Sequence, residues 1–152
     1  MRLLSKYTTK LLLFGLIYYI VSMLSLWFEW KQEPLPFWPA AGVAAGFTFL
    51  WGFRYLPAIL IGTTAIALSW HTPLPITISN TIAQVGETVI LIYLLRRFAN
   101  PSDYFTHPKS LQKLLTAIIP AVLFTGLIGL FDFIITGTPL DQAVIFSLVH
   151  LM

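Results

Sequence analysis

The sequence predicts an all-α protein, a polytopic bundle of transmembrane helices that forms one domain over residues 1–152. Hydrophobic residues make up 57% of the chain and charged residues 10%, whereas soluble domains have about 45–50% and about 25%. A soluble domain of this size could not bury so much apolar surface, and disorder requires the opposite composition. The apolar residues form long runs between short polar stretches, as expected for helices that cross a bilayer.

The first predicted helix covers the apolar run Leu11 to Phe28, which follows three basic residues. A basic start followed by an apolar stretch is also typical of a cleaved signal peptide. The segment 21–25 offers no good small-x-small cleavage site. We therefore expect this run to remain as a membrane anchor.

Two short apolar runs predict the second and third helices. Pro39 suits the first turn of a helix that ends before Gly52, and the next run covers Tyr55 to Trp70. Each run gives a helix of about 20–22 Å, which is short for a span. We predict a tight hairpin that turns at 52–54, with its ends completed by interfacial aromatic residues. A re-entrant pair of helices is the alternative.

The fourth and fifth predicted helices have full length. They cover Ile76 to Leu95 and Leu111 to Ile135, and Pro120 is the expected place for a kink in the fifth. A sixth helix begins near Gln142 and is cut by the last residue of the sequence. We therefore expect five spans plus the start of a sixth, in a domain that is incomplete at its C-terminal end.

The basic residues predict the orientation of the bundle. If five helices alternate, eight of the nine Lys and Arg residues fall on one side of the membrane, opposite Lys31. The eight are Arg2, Lys6, Lys10, Arg54, Arg96, Arg97, Lys109 and Lys113. Because basic loops face the cytoplasm, we predict a cytoplasmic N-terminus. The scatter of these residues over three loops does not fit a nucleic-acid interface, and contact with anionic lipid headgroups accounts for them.

The fourth helix carries a polar stripe. On a helical projection, six polar residues fall within an arc of about 120°. They are Thr77, Asn80, Thr81, Gln84, Glu87 and Thr88. Glu87 lies about 16 Å from the start of the helix, near the middle of the bilayer, where a carboxylate costs about 3 kcal/mol.

Asn80, Gln84 and Glu87 are the candidate polar core for sensing or for structure. No Lys or Arg lies within a predicted span, so we expect Glu87 to be protonated, hydrogen-bonded or in contact with water. Its role is either to sense a stimulus or to join helices by polar contacts worth about 0.6–2 kcal/mol each. Arg54 is expected to determine topology, and a partnership with Glu87 is the alternative.

No motif in the sequence predicts catalysis. The chain has no phosphate-binding glycine loop, no nucleophile elbow and no zinc-protease helix. Its three histidines have no metal-ligand spacing, and it has no cysteine. We therefore predict no enzymatic activity, no cofactor and no metal site.

Three motifs, in order along the chain, resemble those of one family. They are Trp38-Pro39-Ala40-Ala41-Gly42, then Gly52-x-Arg54-x-x-Pro57 with Gly62 after it, then Gln84-x-x-Glu87 with Leu94-Leu95-Arg96-Arg97 after it. Their order and spacing resemble the bacterial membrane-associated sensor domains of the first-described MASE family. Ala40 stands where that family usually has a second proline, and Gln84 stands where it usually has asparagine.

The resemblance implies a sensory input domain of the bacterial cytoplasmic membrane. In the family, an eight-helix unit usually precedes a histidine kinase, a diguanylate cyclase or a phosphodiesterase, and no such module is present in this chain. The implied partners are the lipid bilayer and either a cytoplasmic signalling enzyme or a second copy of the chain. The resemblance also implies that Gln84 and Glu87 line the interior, and that Trp38 and Pro39 fix the start of the second helix. A small substrate-binding subunit of a transporter and a truncated remnant without function are the alternatives.

Overall fold

A computed structural model describes the backbone of residues 2–30, 39–98 and 108–136, and the side chains of residues 6–28, 39–97 and 112–131. Five helices follow one another: α1 (Arg2–Trp30), α2 (Pro39–Trp51), α3 (Pro57–Trp70), α4 (Leu74–Phe98) and α5 (Pro108–Thr136). A 3-10 turn, Phe53–Tyr55, joins α2 to α3. These segments contain no strand, which confirms the all-α class. The predicted sixth helix lies outside the described residues.

The hairpin between α2 and α3 turns where the sequence predicts it. Pro39 and Pro57 are the first residues of their helices, where the missing proline N–H costs no helical hydrogen bond. Gly52 follows α2 with φ 92° and ψ 167°, a conformation that essentially only glycine adopts. Its N–H donates to the Thr48 carbonyl at 2.8 Å. The turn predicted at 52–54 is therefore confirmed.

α2 runs antiparallel to α1. The rings of Phe14 and Phe47 stack with centroids 4.9 Å apart. One turn earlier in α1 and one turn later in α2, the Lys10 ammonium lies over the Trp51 ring, 5.1 Å from its centroid. The two helices therefore share an aromatic interface near the start of α1 and the end of α2.

α3 runs in the same direction as α1. The Tyr7 hydroxyl donates to the Arg54 carbonyl at 2.9 Å, and the Trp70 indole N–H donates to Met23 Sδ at 3.3 Å. α4 returns beside α3 and packs mainly against α5. Successive helices in the described bundle therefore alternate in direction.

This alternation brings the described basic side chains to one end of the bundle. All six are exposed, at the start of α1, the α2–α3 turn, the end of α4 and the start of α5. They are Lys6, Lys10, Arg54, Arg96, Arg97 and Lys113. We term this the basic end, and the opposite end, where Trp27 and Trp70 lie, the distal end.

Four segments of the structure are long and apolar enough to cross a membrane. They are Lys6–Phe28, Phe53–Trp70, Leu74–Arg97 and Gln112–Phe131. α2 is apolar but has only 13 residues, or about 20 Å. The count of five spans and the cytoplasmic N-terminus therefore stay predictions. Pro120 lies inside α5, and the kink expected there also stays a prediction.

The core differs between the two halves of the bundle, which meet at the level of Tyr18. In the half toward the basic end, the basic half, the buried residues include Phe14, Tyr55, Ile59, Ile92 and Leu95. In the other half, the distal half, the side chains that the structure describes as buried are all small. They are Ser22, Ser25, Ala40, Ala44, Thr63 and Ala83.

Candidate functional site

Four polar side chains from three helices meet where the two halves of the bundle join. The Tyr18 hydroxyl of α1 donates to Oε1 of Gln84 on α4 at 3.2 Å. Nearly one turn along α4, Oε2 of Glu87 accepts a hydrogen bond from the Thr125 hydroxyl of α5 at 2.8 Å. We term Tyr18, Gln84, Glu87 and Thr125 the polar cluster. It connects α4 to one helix on each side.

Glycines give the polar cluster its space. The Tyr18 ring packs on Gly62 of α3, where an added Cβ would lie 2.5 Å from Cδ1 of the ring. On the other side of α4, a Cβ added to Gly86 would overlap the Phe124 ring, next to Thr125. Small residues allow helices to approach closely in membranes. Both hydrogen bonds of the cluster therefore depend on a neighbouring glycine.

Further hydroxyls surround the polar cluster. The Thr88 hydroxyl donates to the Gln84 carbonyl at 2.8 Å, and the Thr81 hydroxyl donates to the Thr63 hydroxyl of α3 at 3.0 Å. Ser22, one turn from Tyr18, is fully buried, and its hydroxyl has no hydrogen-bond partner among the described residues. The cluster is thus continuous with the hydroxyl-bearing distal half.

Glu87 is the only carboxylate whose side chain the structure describes, and it is half-buried. Within the described residues its partner is the Thr125 hydroxyl. The Arg54 guanidinium, which sequence reasoning offered as an alternative partner, lies at the basic end over the Tyr55 ring, 5.1 Å from its centroid. The structure thus gives Glu87 a neutral partner.

The predicted polar core is only partly brought together. Gln84 and Glu87 lie in the polar cluster. Asn80 is exposed. It lies on the same line of α4 as Glu87 but two turns toward the distal end, beyond the part of α5 whose side chains are described. The polar stripe is therefore covered at its deeper end and open at Asn80.

The residues before α4 that carry the family resemblance lie in different surroundings. Pro39, Gly52 and Pro57 shape the hairpin, as described above, and Gly62 receives the Tyr18 ring. Gly42 is different, because a Cβ added there would meet nothing within 4 Å. Arg54 is exposed in the turn, and Trp38 lies outside the described residues.

Sequence reasoning did not single out Tyr18 and Thr125. Each carries a hydroxyl within a long apolar run, and that is the signal that could have identified them. A polar group within a span tends to find a hydrogen-bond partner on another helix. The sequence shows these hydroxyls but not which helix faces them.

The chemistry available at the polar cluster is hydrogen bonding and proton binding. It offers a phenol, an amide, a carboxyl group and a hydroxyl, all within one layer across the bundle. Within the described segments, no three His, Asp or Glu side chains are placed to hold a metal ion. The arrangement is suited to a small polar molecule, or to a change in how the three helices are held together.

Comparison with known proteins gives one result. The family model MASE1 matches residues 4–151, which include all but the first two residues of α1, the other four described helices and the whole polar cluster. No curated protein and no solved structure matches the chain.

Proposed function

The chain belongs to the MASE1 family, and from this membership we propose how the domain receives and passes on a stimulus. MASE1 domains are membrane sensory input domains, so the protein acts in signal transduction. The finer proposal is that the stimulus acts at the polar cluster and biases a cytoplasmic histidine kinase or diguanylate cyclase. The domain sits in the bacterial cytoplasmic membrane with its basic end in the cytoplasm.

The orientation is supported by the distribution of charge. All six described basic side chains are exposed at the basic end, and they belong to four different segments of the chain. An excess of Lys and Arg marks the cytoplasmic side of membrane proteins. The antiparallel course of the short helix α2 between α1 and α3 supports counting it as a crossing, which gives five crossings in the described part.

The transmission step is supported by the two hydrogen bonds of the polar cluster, and this pair of bonds is the observation that carries the proposal. Together they hold α1 and α5 to α4. Bonds of this kind in membranes are worth about 0.6 kcal/mol on average and up to about 1.7. A stimulus that breaks or replaces both would change the balance between two helix packings by about 1–3 kcal/mol, or about 5–150-fold.

The test compares two threonines of α5. Thr125→Val removes the donor to Glu87, whereas Thr116→Val removes a hydroxyl whose partner among the described residues is the Gln112 carbonyl of its own helix. Both variants are expressed with the cytoplasmic output enzyme, and kinase autophosphorylation or cyclic di-GMP formation is measured. We expect Thr125→Val to shift the output several-fold and Thr116→Val to leave it unchanged. A third variant, Glu87→Leu, should insert normally and lose the response to the stimulus.

Two results would overturn the proposal. One is an unchanged response in both Thr125→Val and Glu87→Leu, measured at equal amounts of protein in the membrane. The other is an equal shift in Thr125→Val and Thr116→Val, because it would make the effect a general property of α5 rather than of the polar cluster.

A further inference from the structure

The face of α4 that carries the polar stripe is polar over only part of the length of the helix. Between the distal end and Glu87 it carries Thr77, Asn80, Thr81 and Gln84. Asn80 is exposed, and Thr77, Thr81 and Gln84 are half-buried. These positions form a continuous line of hydrogen-bonding side chains from the distal end to the carboxyl group.

Toward the basic end, the same helix is closed by apolar side chains. After Thr88, the residues of α4 that face the bundle belong to an apolar cluster with α5 and α2. Its buried members are Ile92, Leu95 and Ala117, with Leu91, Leu94 and Leu114 packed against them. Between Thr88 and Arg96 the one polar side chain on α4 is that of Tyr93, which is exposed and does not face the apolar cluster. Glu87 therefore has polar neighbours on one side and an apolar barrier on the other.

Two hydroxyls in the distal half lack a hydrogen-bond partner among the described residues. They are Ser22 Oγ of α1, which is fully buried, and Ser79 Oγ of α4. A buried hydroxyl without a partner costs about 1–3 kcal/mol, and ordered water commonly satisfies such groups. Both lie between the distal end and the polar cluster. The placement of Ser22, on α1, is an observation independent of the line of side chains on α4.

We propose that the distal half contains a water-accessible cleft that leads from the distal end to Glu87 and is sealed on the side of the basic end. The solute that fits it is small, forms hydrogen bonds and carries no negative charge, because the cleft ends at a carboxyl group with no described cation beside it. This deepens the proposed function and rests on it: the stimulus enters from the side opposite the signalling enzyme.

The chain has no cysteine, so access can be measured with single cysteines in the otherwise natural sequence. The variants Asn80→Cys and Gln84→Cys place a thiol in the cleft. Ile78→Cys and Ile82→Cys are matched controls, because both side chains are about half exposed on another face of α4 and bracket Asn80 in depth. Membrane vesicles are treated with a small cationic methanethiosulfonate that does not cross the bilayer.

The side of entry is fixed by two markers at the ends of the bundle. His71→Cys reports the distal end and Lys113→Cys the basic end, since both positions are exposed. We expect Asn80→Cys and Gln84→Cys to react only from the side on which His71→Cys reacts. Ile78→Cys and Ile82→Cys should react at least about tenfold more slowly, because a thiol in apolar surroundings does not form the reactive thiolate. Leu91→Cys, in the apolar barrier, should react from neither side.

Three outcomes would contradict the proposal of a cleft. Asn80→Cys and Gln84→Cys could fail to react from either side, they could react from the side of Lys113→Cys, or they could react no faster than Ile78→Cys and Ile82→Cys. These labelling measurements do not depend on the output enzyme. If the distal half is sealed but Thr125→Val shifts the output as expected, the cleft is excluded and the proposed function stands. If the cleft is open but the response is unchanged in both Thr125→Val and Glu87→Leu, the proposed function is excluded.

Discussion

The two halves of this bundle are built from different side chains. In the basic half, Phe14 is fully buried, and its ring stacks on Phe47, which in turn contacts Trp51 with ring centroids 4.6 Å apart. In the distal half, the fully buried side chains of α1 are Ser22 and Ser25. The same helix therefore contributes a ring to one core and hydroxyls to the other, about two to three turns apart.

This difference indicates which half of the bundle can change its packing. In a bilayer, helices associate through close packing and hydrogen bonds, because lipid is as apolar as the core. Aromatic pairs add about 0.5–1.5 kcal/mol each in the basic half, whereas the distal half depends on small residues and on hydrogen bonds worth about 0.6 kcal/mol. The basic half is suited to fix the arrangement of the helices, and the distal half is suited to respond.

The largest loss of stability is expected when a buried aromatic side chain is removed from the basic half. Phe14→Ala removes a ring that is in contact with Phe47 and Trp51. Phe→Ala in soluble cores costs about 3–5 kcal/mol, and since the transfer term is small in lipid we expect about 2–4 here. Thermal unfolding in detergent micelles, followed by tryptophan fluorescence, measures the loss. Leu16→Ala, an exposed position of α1, is the control and should change the midpoint little. Equal losses in both variants would contradict the division of the core.

A glycine at the boundary between the halves is expected to tolerate no side chain. Gly62→Ala places a Cβ 2.5 Å from the Tyr18 ring and 3.4 Å from the Gly15 carbonyl oxygen. The ring must move away from Gln84, and we expect a loss of about 1–3 kcal/mol, as for other overpacked cores. Gly46→Ala on α2 is the matched control, because a Cβ there meets nothing within 4 Å. The comparison fails if Gly46→Ala is destabilised as much as Gly62→Ala.

The helices of this fold could be predicted from the sequence because their signals are local. Apolar runs, the prolines at 39 and 57 and the glycine at 52 act within a few residues, and the hairpin turn lies where they indicate. Most of the helices extend further than predicted: α1 begins at Arg2 rather than Leu11, and α4 ends at Phe98 rather than Leu95. α3 instead begins later, at Pro57 rather than Tyr55, because a 3-10 turn occupies residues 53–55. Basic and polar residues at the ends of apolar runs continue the helix into the interface.

The candidate site was predicted only where it lies on one helix. Gln84 and Glu87 stand out because a polar residue in an apolar helix is costly wherever it points. Tyr18 and Thr125 could not be identified from their own helices, since their roles depend on which helices pack together. The exposure of Asn80 could not be predicted for the same reason: its helix position matches that of Glu87, and burial depends on what packs against α4 at each level.

A smaller effect is expected from the hydrogen bond between α1 and α4. Tyr18→Phe keeps the ring on Gly62 and removes the donor to Gln84, which should cost about 0.6–1.7 kcal/mol in the same unfolding assay. The neighbouring Tyr19 is the matched control, because its hydroxyl shares a hydrogen bond with Ser69 in an exposed position. Tyr19→Phe should cost less than Tyr18→Phe. The reverse order would mean that the polar cluster does not hold α1 to α4.

The smallest effects come from hydroxyls without a described partner, and they separate the two halves most directly. Ser22 in the distal half and Thr48 in the basic half are both fully buried and both lack a partner among the described residues. Thr48→Val removes an unsatisfied hydroxyl from an apolar surrounding while keeping its shape, so we expect a gain of about 1 kcal/mol. If water reaches the distal half, the Ser22 hydroxyl is satisfied there, and Ser22→Ala should change stability by less than about 0.5 kcal/mol. An equal gain in both variants would show that Ser22 is as dry as Thr48, and the contrast between a sealed half and an accessible half would then be lost.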